Sequence, residues 1–363
     1  MKFIDEYRDA EVGIKLAHRI ASMSTKPARL MEFCGGHTVS IMKHGIRQLL
    51  PPTIEMLSGP GCPVCVTAHA DIDRMIALSH LPDVIITTFG DMIKVPGSYS
   101  SLQQARAEGA DIRIVYSAQD ALEIARKNPG KQVIFLGIGF ETTAPTIAAA
   151  VVQAKEEHIP NFYILSMLKL CPPVMKALLD LGEIKLDGIV GPGHVSAIIG
   201  VHPYEFIPRD YGIAFSISGF ESLDILYTVS TLIEQIEKGT PHVEIAYRRG
   251  VKPEGNTRAL ELIDTVFEAD SADWRGLGTV AGSGLKLRNE YGKFDAGLVF
   301  QVDPGPVREP KGCRCGEILR GVKTPVDCAL FRTQCTPESP VGPCMVSSEG
   351  ACAAYYEFGA EYE

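Results

Sequence analysis

The sequence predicts an α/β protein built on parallel sheets, and two observations carry that prediction. Short β-branched and aromatic runs recur along the first two thirds of the 363 residues, and amphipathic stretches rich in strong helix formers separate them. Strands that alternate with helices join into parallel sheets through helical crossovers. The runs are "DVIITTF" (83–89), "DIRIVYS" (111–117), "KQVIFLGIGF" (131–140), "NFYILSM" (161–167), "DGIVGPG" (187–193) and "GIAFSIS" (212–218). Between them, "SSLQQARAEGA" and "AQDALEIARKN" have the helical period that crossovers need.

A weak internal repeat refines the architecture. "MLSGPGCPV" near residue 60 resembles "GIVGPGHVS" near 192, and "IITTFGD" (85–91) resembles "AFSISGF" (214–220), each at an offset of roughly one small domain. Two related α/β domains with a cleft between them are expected, at 28–127 and 128–274. After about residue 275 the periodicity is lost, and the chain becomes rich in proline, glycine and cysteine. A segment so irregular buries little apolar surface against its ordering entropy, so an inorganic cross-link is expected there. We assign 275–363 to a third domain, completed by the N-terminal helix within 1–27.

Composition narrows the class. Apolar residues make up 45% and charged residues 22%, as in an ordinary globular protein, and the formal charge of −9 argues against nonspecific nucleic-acid binding. The N-terminus is acidic and amphipathic where a signal peptide needs an unbroken apolar core, and no run approaches the length of a membrane span. A cytoplasmic protein with no membrane partner is expected. Ten cysteines in so long a chain point to metal or thiol chemistry rather than a disulfide scaffold. Cys34, Cys62 and Cys65 lie near the start, Cys171 stands alone, and six fall between Cys313 and Cys352, which suggests two separate chemical tasks.

Cys313, Cys328, Cys335 and Cys352 are spaced C-x14-C-x6-C-x16-C, with Cys315 and Cys344 between them. Zinc ribbons use tight C-x2-C knuckles, and none occurs here. Thiolates spread over loops fit a [4Fe-4S] cluster better, because its irons face different directions. Spacing alone does not choose four ligands out of six. Each thiol also reads as a small buried hydrophobe, and Cys315 with Cys344 reads as a thiol pair beside a cluster.

Near the start, "EFCGGHTVS" puts Cys34 and His37 among glycines that let a ligand approach the backbone, with "LMEF" a strand end and "TVSIM" a helix start. That places both residues at the carboxyl end of a strand, the ligand side of an α/β sheet. "GPGCPVC" is a C-x2-C on a turn, suited to metal binding or to a reversible disulfide. "GIGFETTAPT" follows a strand and opens a helix, so Thr142 and Thr143 are expected to cap it while Glu141 reaches into the cleft. "GIGF" also invites a nucleotide-loop reading, but "GxGxxG" is incomplete and no Walker lysine follows, so any use of ATP is expected in a partner. The repeat gives His194 of "GPGHVS" the place of Cys62. Cys171, His44, His69 and His202 receive no role.

"FCGGHT", "GPGCPVC", "GIGFETTAPT", "GPGHVSAIIG" and "GPCMVSSEGACAAYY", in this order and over nearly the whole chain, resemble the HypD family of hydrogenase maturation factors. The resemblance implies assembly of the Fe(CN)2CO unit of [NiFe]-hydrogenase with two partners, a HypC-like small chaperone and a HypE-like cyanide donor. It implies that Cys34 and His37 form the iron site, with transient iron bearing cyanide and carbon monoxide, and that Cys62 and Cys65 are the redox pair. It further implies that Cys313, Cys328, Cys335 and Cys352 hold the [4Fe-4S] cluster, with Cys315 and Cys344 as an adjacent dithiol. The rival expectation is a freestanding iron-sulfur thiol oxidoreductase acting on a small molecule through Cys62 and Cys65.

Overall fold

A computed structural model describes residues 5–359 and contains two parallel sheets, as expected of an α/β chain. In chain order the strands are β1 (Ala28–Glu32), β2 (Ile54–Ser58), β3 (Val84–Thr88), β4 (Asp111–Ile114), β5 (Gln132–Gly139) and β6 (Phe162–Leu168). β7 (Gly188–Pro192), β8 (Ala214–Ser218), β9 (Val243–Ile245), β10 (Phe267–Trp274) and β11 (Gly278–Leu287) follow. One sheet has the order β2-β1-β7-β8-β9 and the other β4-β3-β5-β6. Strands β3, β7 and β8 are buried along their whole length, which is why they read in the sequence as continuous apolar runs.

The sheets do not follow the linear division expected at 127/128. The chain builds β1 and β2, leaves to complete the four-stranded sheet, and returns to add β7, β8 and β9 beside β1. Each sheet therefore takes strands from both sides of that boundary. The glycine-proline repeat is reinterpreted accordingly. Both of its copies leave strands of the five-stranded sheet, β2 and β7, which flank β1.

The boundary at 275 also shifts, because β10 and β11 form a regular antiparallel hairpin across it, with a bulge between Asp270 and Ala272. The hairpin leans on the four-stranded sheet: the Ser166 hydroxyl donates to the Leu285 carbonyl (2.5 Å) and the Leu170 amide to the Ser283 carbonyl (2.8 Å). Glycines hid this strand in the sequence. Gly284 is needed because a Cβ there would stand 2.7 Å from that of Ala272.

The N-terminal helix, Ala10–Met23, starts on an Asp9 cap and packs on the helix Ser222–Lys238 of the five-stranded sheet, with Gly13 against Leu223 and Leu226. It does not complete the cysteine-rich region, because its buried stripe faces this helix instead. The C-terminal region is irregular as expected, with short helices Cys315–Leu319, Pro343–Val346 and Ala351–Phe358. The last of these packs on the helix Gly35–Lys43, burying Met42, Ala354 and Tyr355 together. Among the described residues, no helix is long and apolar enough to cross a membrane.

Candidate functional site

Four neighbouring strand ends build the site. In the order β2-β1-β7-β8, the carboxyl ends lead into Cys62, Cys34 with His37, His194, and Phe220. Parallel strands send all these loops to one edge, so residues far apart in sequence meet there.

Cys34 is the first, non-helical residue before the helix Gly35–Lys43 and is partly exposed. Its loop is bound to the C-x2-C loop, since the Gly35 amide donates to the Gly61 carbonyl at 3.0 Å. A Cβ on Gly61 would run into the Cys34 amide, so only glycine allows this approach. Below Cys34, the buried Glu32 accepts from the Cys34 amide (3.0 Å) and from the Thr38 hydroxyl, and burial raises its carboxyl to about 8. The Cys34 thiol is pushed up to about 12 by burial and then by Glu349, whose backbone lies against Gly35.

His37 is fully buried, and burial lowers its imidazole to about 4, so the ring is neutral at pH 7. Its Nε2 faces the Ser218 carbonyl at 3.3 Å; a carbonyl only accepts, so Nε2 carries the proton. Nδ1 is then a bare lone pair, and it has no partner among the described residues. The ring stacks on Phe220 at 4.7 Å between centroids, and the exposed His194 stacks on the same phenyl ring at 3.8 Å. His194 thus reaches His37 through Phe220.

Cys62 and Cys65 are joined as a disulfide, Cα 5.2 Å apart, across the short helix Pro63–Val66. Both are buried.

From the other sheet, Glu141 follows β5 and is 3% exposed, with its carboxyl accepting from the Cys171 amide at 2.8 Å. Burial raises the carboxyl to about 7. Cys171, its thiol raised by burial and then by Glu141, lies within electrostatic reach of Cys34, as does the buried Tyr204 phenol. Glu141 is turned inward onto the Cys171 amide, and the expected caps are absent. The helix is Ala144–Glu156, and Thr143 precedes it in helical conformation without a side-chain cap. Its hydroxyl packs over Gly139 instead, and proline in the first turn removes one amide that would need capping.

Cys313, Cys315, Cys328, Cys335, Cys344 and Cys352 line a single cavity. Among the described residues, no three His, Cys, Asp or Glu side chains converge on a point that would hold a single ion. A four-iron cube asks for something different, because each thiolate binds its own iron and the sulfurs must surround a volume. The donors suit it: soft sulfurs in an apolar wall, with the Val341 amide donating to Cys335 Sγ at 3.3 Å. Cys344 stands within hydrogen-bonding reach of both Cys315 and Cys352, so these three thiols cluster, the expected pair Cys315 and Cys344 among them. The helices carrying that pair pack on Pro63–Val66, and Cys65 Sγ lies 3.9 Å from the Pro343 carbonyl.

The HypD family model, described as the hydrogenase formation hypA family, matches residues 11–359. The chain belongs to the HypD family. Its relatives include hydrogenase maturation factor HypD2 of Bradyrhizobium diazoefficiens, 47% identical over 99% of this chain and 97% of the relative. HypD of Rhodobacter capsulatus is 47% identical over 99% and 98%. HypD of Escherichia coli is 43% identical over 99% and 98%.

In this HypD-family chain, sequence reading missed Glu32, Cys171, Tyr204 and Phe220. Phe220 had a signal, since it ends the repeated "AFSISGF". Cys171 and Tyr204 stand in no motif that spacing marks out, and Glu32 opens "EFCGGHTVS" with no spacing signal of its own.

Proposed function

We propose that the chain is the scaffold and thiol donor on which the Fe(CN)2CO unit of [NiFe]-hydrogenase is assembled. The observation that carries this reading is the hydrogen-bonded pair of loops that sets Cys34 and His37 beside a C-x2-C disulfide. Iron is the cargo. Soft thiolate suits low-spin iron bearing cyanide and carbon monoxide, and a site with few protein ligands leaves positions open for them. The His37 Nδ1 lone pair is the second donor. A HypC-like chaperone supplies a further ligand from its own surface, and a HypE-like donor delivers cyanide as a protein thiocyanate.

Opening that thiocyanate needs two electrons. Two thiolates, Cys62 and Cys65, supply them: the S–C bond breaks, cyanide leaves for iron, the donor retains a thiolate, and a Cys62–Cys65 disulfide forms. Cys315 and Cys344 restore the dithiol by exchange. Cys313, Cys328, Cys335 and Cys352 would hold a [4Fe-4S] cluster, which when bound supplies electrons singly. The cytoplasm, with its reduced thiol pool, is the compartment that suits this cycle.

The test mixes the fully reduced chain with a thiocyanate-bearing donor protein and counts products. One Cys62–Cys65 disulfide per cyanide released supports the reading. Cyanide release with both thiols still free contradicts it, and turnover of a diffusible disulfide without any partner selects the oxidoreductase alternative.

A further inference from the structure

The turn between β10 and β11 lies between the two cysteine pairs and is fastened to both sides. On one side the Arg275 amide donates to the Val66 carbonyl (2.9 Å) and Nε to the Thr67 carbonyl (3.1 Å), gripping the residues that follow Cys65. Nη1 adds a bond to His69 Nδ1 at 2.7 Å, and Thr67 bridges to Trp274. On the other side Gly276 abuts Gly316, the residue after Cys315. A Cβ on Gly316 would stand 2.8 Å from an atom of Gly276, and the Arg320 guanidinium donates to the Gly276 carbonyl.

Arg275 is 6% exposed, and its Nη2 is a buried donor with no partner among the described residues, although Nε and Nη1 are both used. A buried guanidinium with an idle N–H is costly until an anion completes it. Two carboxylates face the bonded His69, the exposed Glu309 at 4.0 Å and Asp73, which is taken up by Ser98; the thiols of Cys65 and Cys315, each one residue from a contact of this turn, are the groups here that become anionic on exchange. Thiol–disulfide exchange leaves a thiolate at every step.

We propose that Arg275 is a positioning residue for exchange between the Cys315/Cys344 thiols and the Cys62–Cys65 disulfide, holding the pairs together and offering Nη2–H to the departing thiolate. The proposal rests on the redox reading above and names the group that makes its internal step work. The step balances within the chain. One sulfur of Cys315/Cys344 attacks a sulfur of the Cys62–Cys65 bond, whose other sulfur leaves with the bonding pair. The remaining thiol then displaces the mixed disulfide. Cys315 and Cys344 end oxidised, Cys62 and Cys65 end reduced, and two protons pass from the first pair to the second.

The test gives the fully reduced full-length chain a substoichiometric pulse of diamide under argon, quenches samples in acid, and reads each cysteine by differential alkylation and mass spectrometry. In the wild type the disulfide should migrate between the two pairs until their ratio is constant. Arg275→Gln should slow that migration about tenfold to a hundredfold, the weight of one hydrogen bond to a charged group. Arg275→Lys should recover part of the rate, which a purely structural role would not allow. Equal rates in wild type and Arg275→Gln overturn the proposal. No migration in the wild type removes the relay on which it rests, and the proposal with it. If Arg275→Gln does not fold, Gly316→Ala carries the test, since it forces the Gly276 contact apart without touching a charge; slowed migration there supports the proposal and a wild-type rate overturns it.

Discussion

Burial keeps the proton on Cys34. A thiol raised to about 12 is protonated at pH 7, and on the proposed reading it is the charge of the arriving iron that removes the proton. Glu141 shows the same use of burial with a measurable consequence. Its carboxyl is raised from 4.5 to about 7 in the folded chain. Below pH 4.5 both folded and unfolded chains hold the proton, and this group contributes nothing. As pH rises from there to 7 the unfolded chain releases the proton while the folded chain keeps it, so stability falls and then levels off. A shift of this size is worth on the order of 3 kcal/mol. Glu141→Gln retains an acceptor for the Cys171 amide and removes the titration. Its stability relative to wild type should therefore grow between pH 5 and pH 8 in urea unfolding, and a constant difference would show that Glu141 is ionised throughout.

The elements explain which parts of this protein were readable in its sequence. Of the six legible strands, the central β3, β5, β7 and β8 are buried on both faces and read as apolar runs, while the edges β4 and β6 were marked by β-branched and aromatic residues. The edge strand β9 is only half-buried, and β11 is broken by the glycines that let it pack, so neither shows a strand pattern. The motifs around Cys34, Cys62 and His194 were legible because tight turns need glycine and proline. Arg275 and Glu32 were not, since their importance comes only from what the fold sets beside them. Two substitutions test the elements. Gly61→Ala forces a methyl group into the Cys34 backbone, where no side chain is free to move aside. It should cost about 1–3 kcal/mol in denaturant unfolding, and an unaltered midpoint would show that the two loops are not in contact. Cys335→Ala should remove the visible iron-sulfur absorption and lower the melting temperature, because the C-terminal segments have little regular structure of their own. Cys315→Ala should keep the absorption. The reverse pattern would reassign the ligands.

At the scale of the whole molecule, the interleaved path of the chain is what assembles the site. By leaving the five-stranded sheet after β2 and returning at β7, the chain sets β1 between the two glycine-proline loops, so that Cys34 stands between Cys62 and His194. The second sheet brings Glu141 and Cys171 from the side, and the cysteine-rich region covers Gly35 through Glu349 and the C-x2-C helix through Pro343–Val346. No linear division of the sequence conveys this, because strand pairing across more than a hundred residues is settled by packing. The arrangement separates the Cys34 loop from the six-cysteine cavity while tying both to one disulfide, so iron binding and electron supply should be separable by mutation. The most direct measurement is infrared spectroscopy of the chain produced and purified anaerobically with a HypC-like chaperone, beside its visible spectrum. Wild type should show cyanide and carbon monoxide stretches, and Cys34→Ala should lose them while keeping the iron-sulfur absorption; unchanged infrared bands in Cys34→Ala would contradict the account.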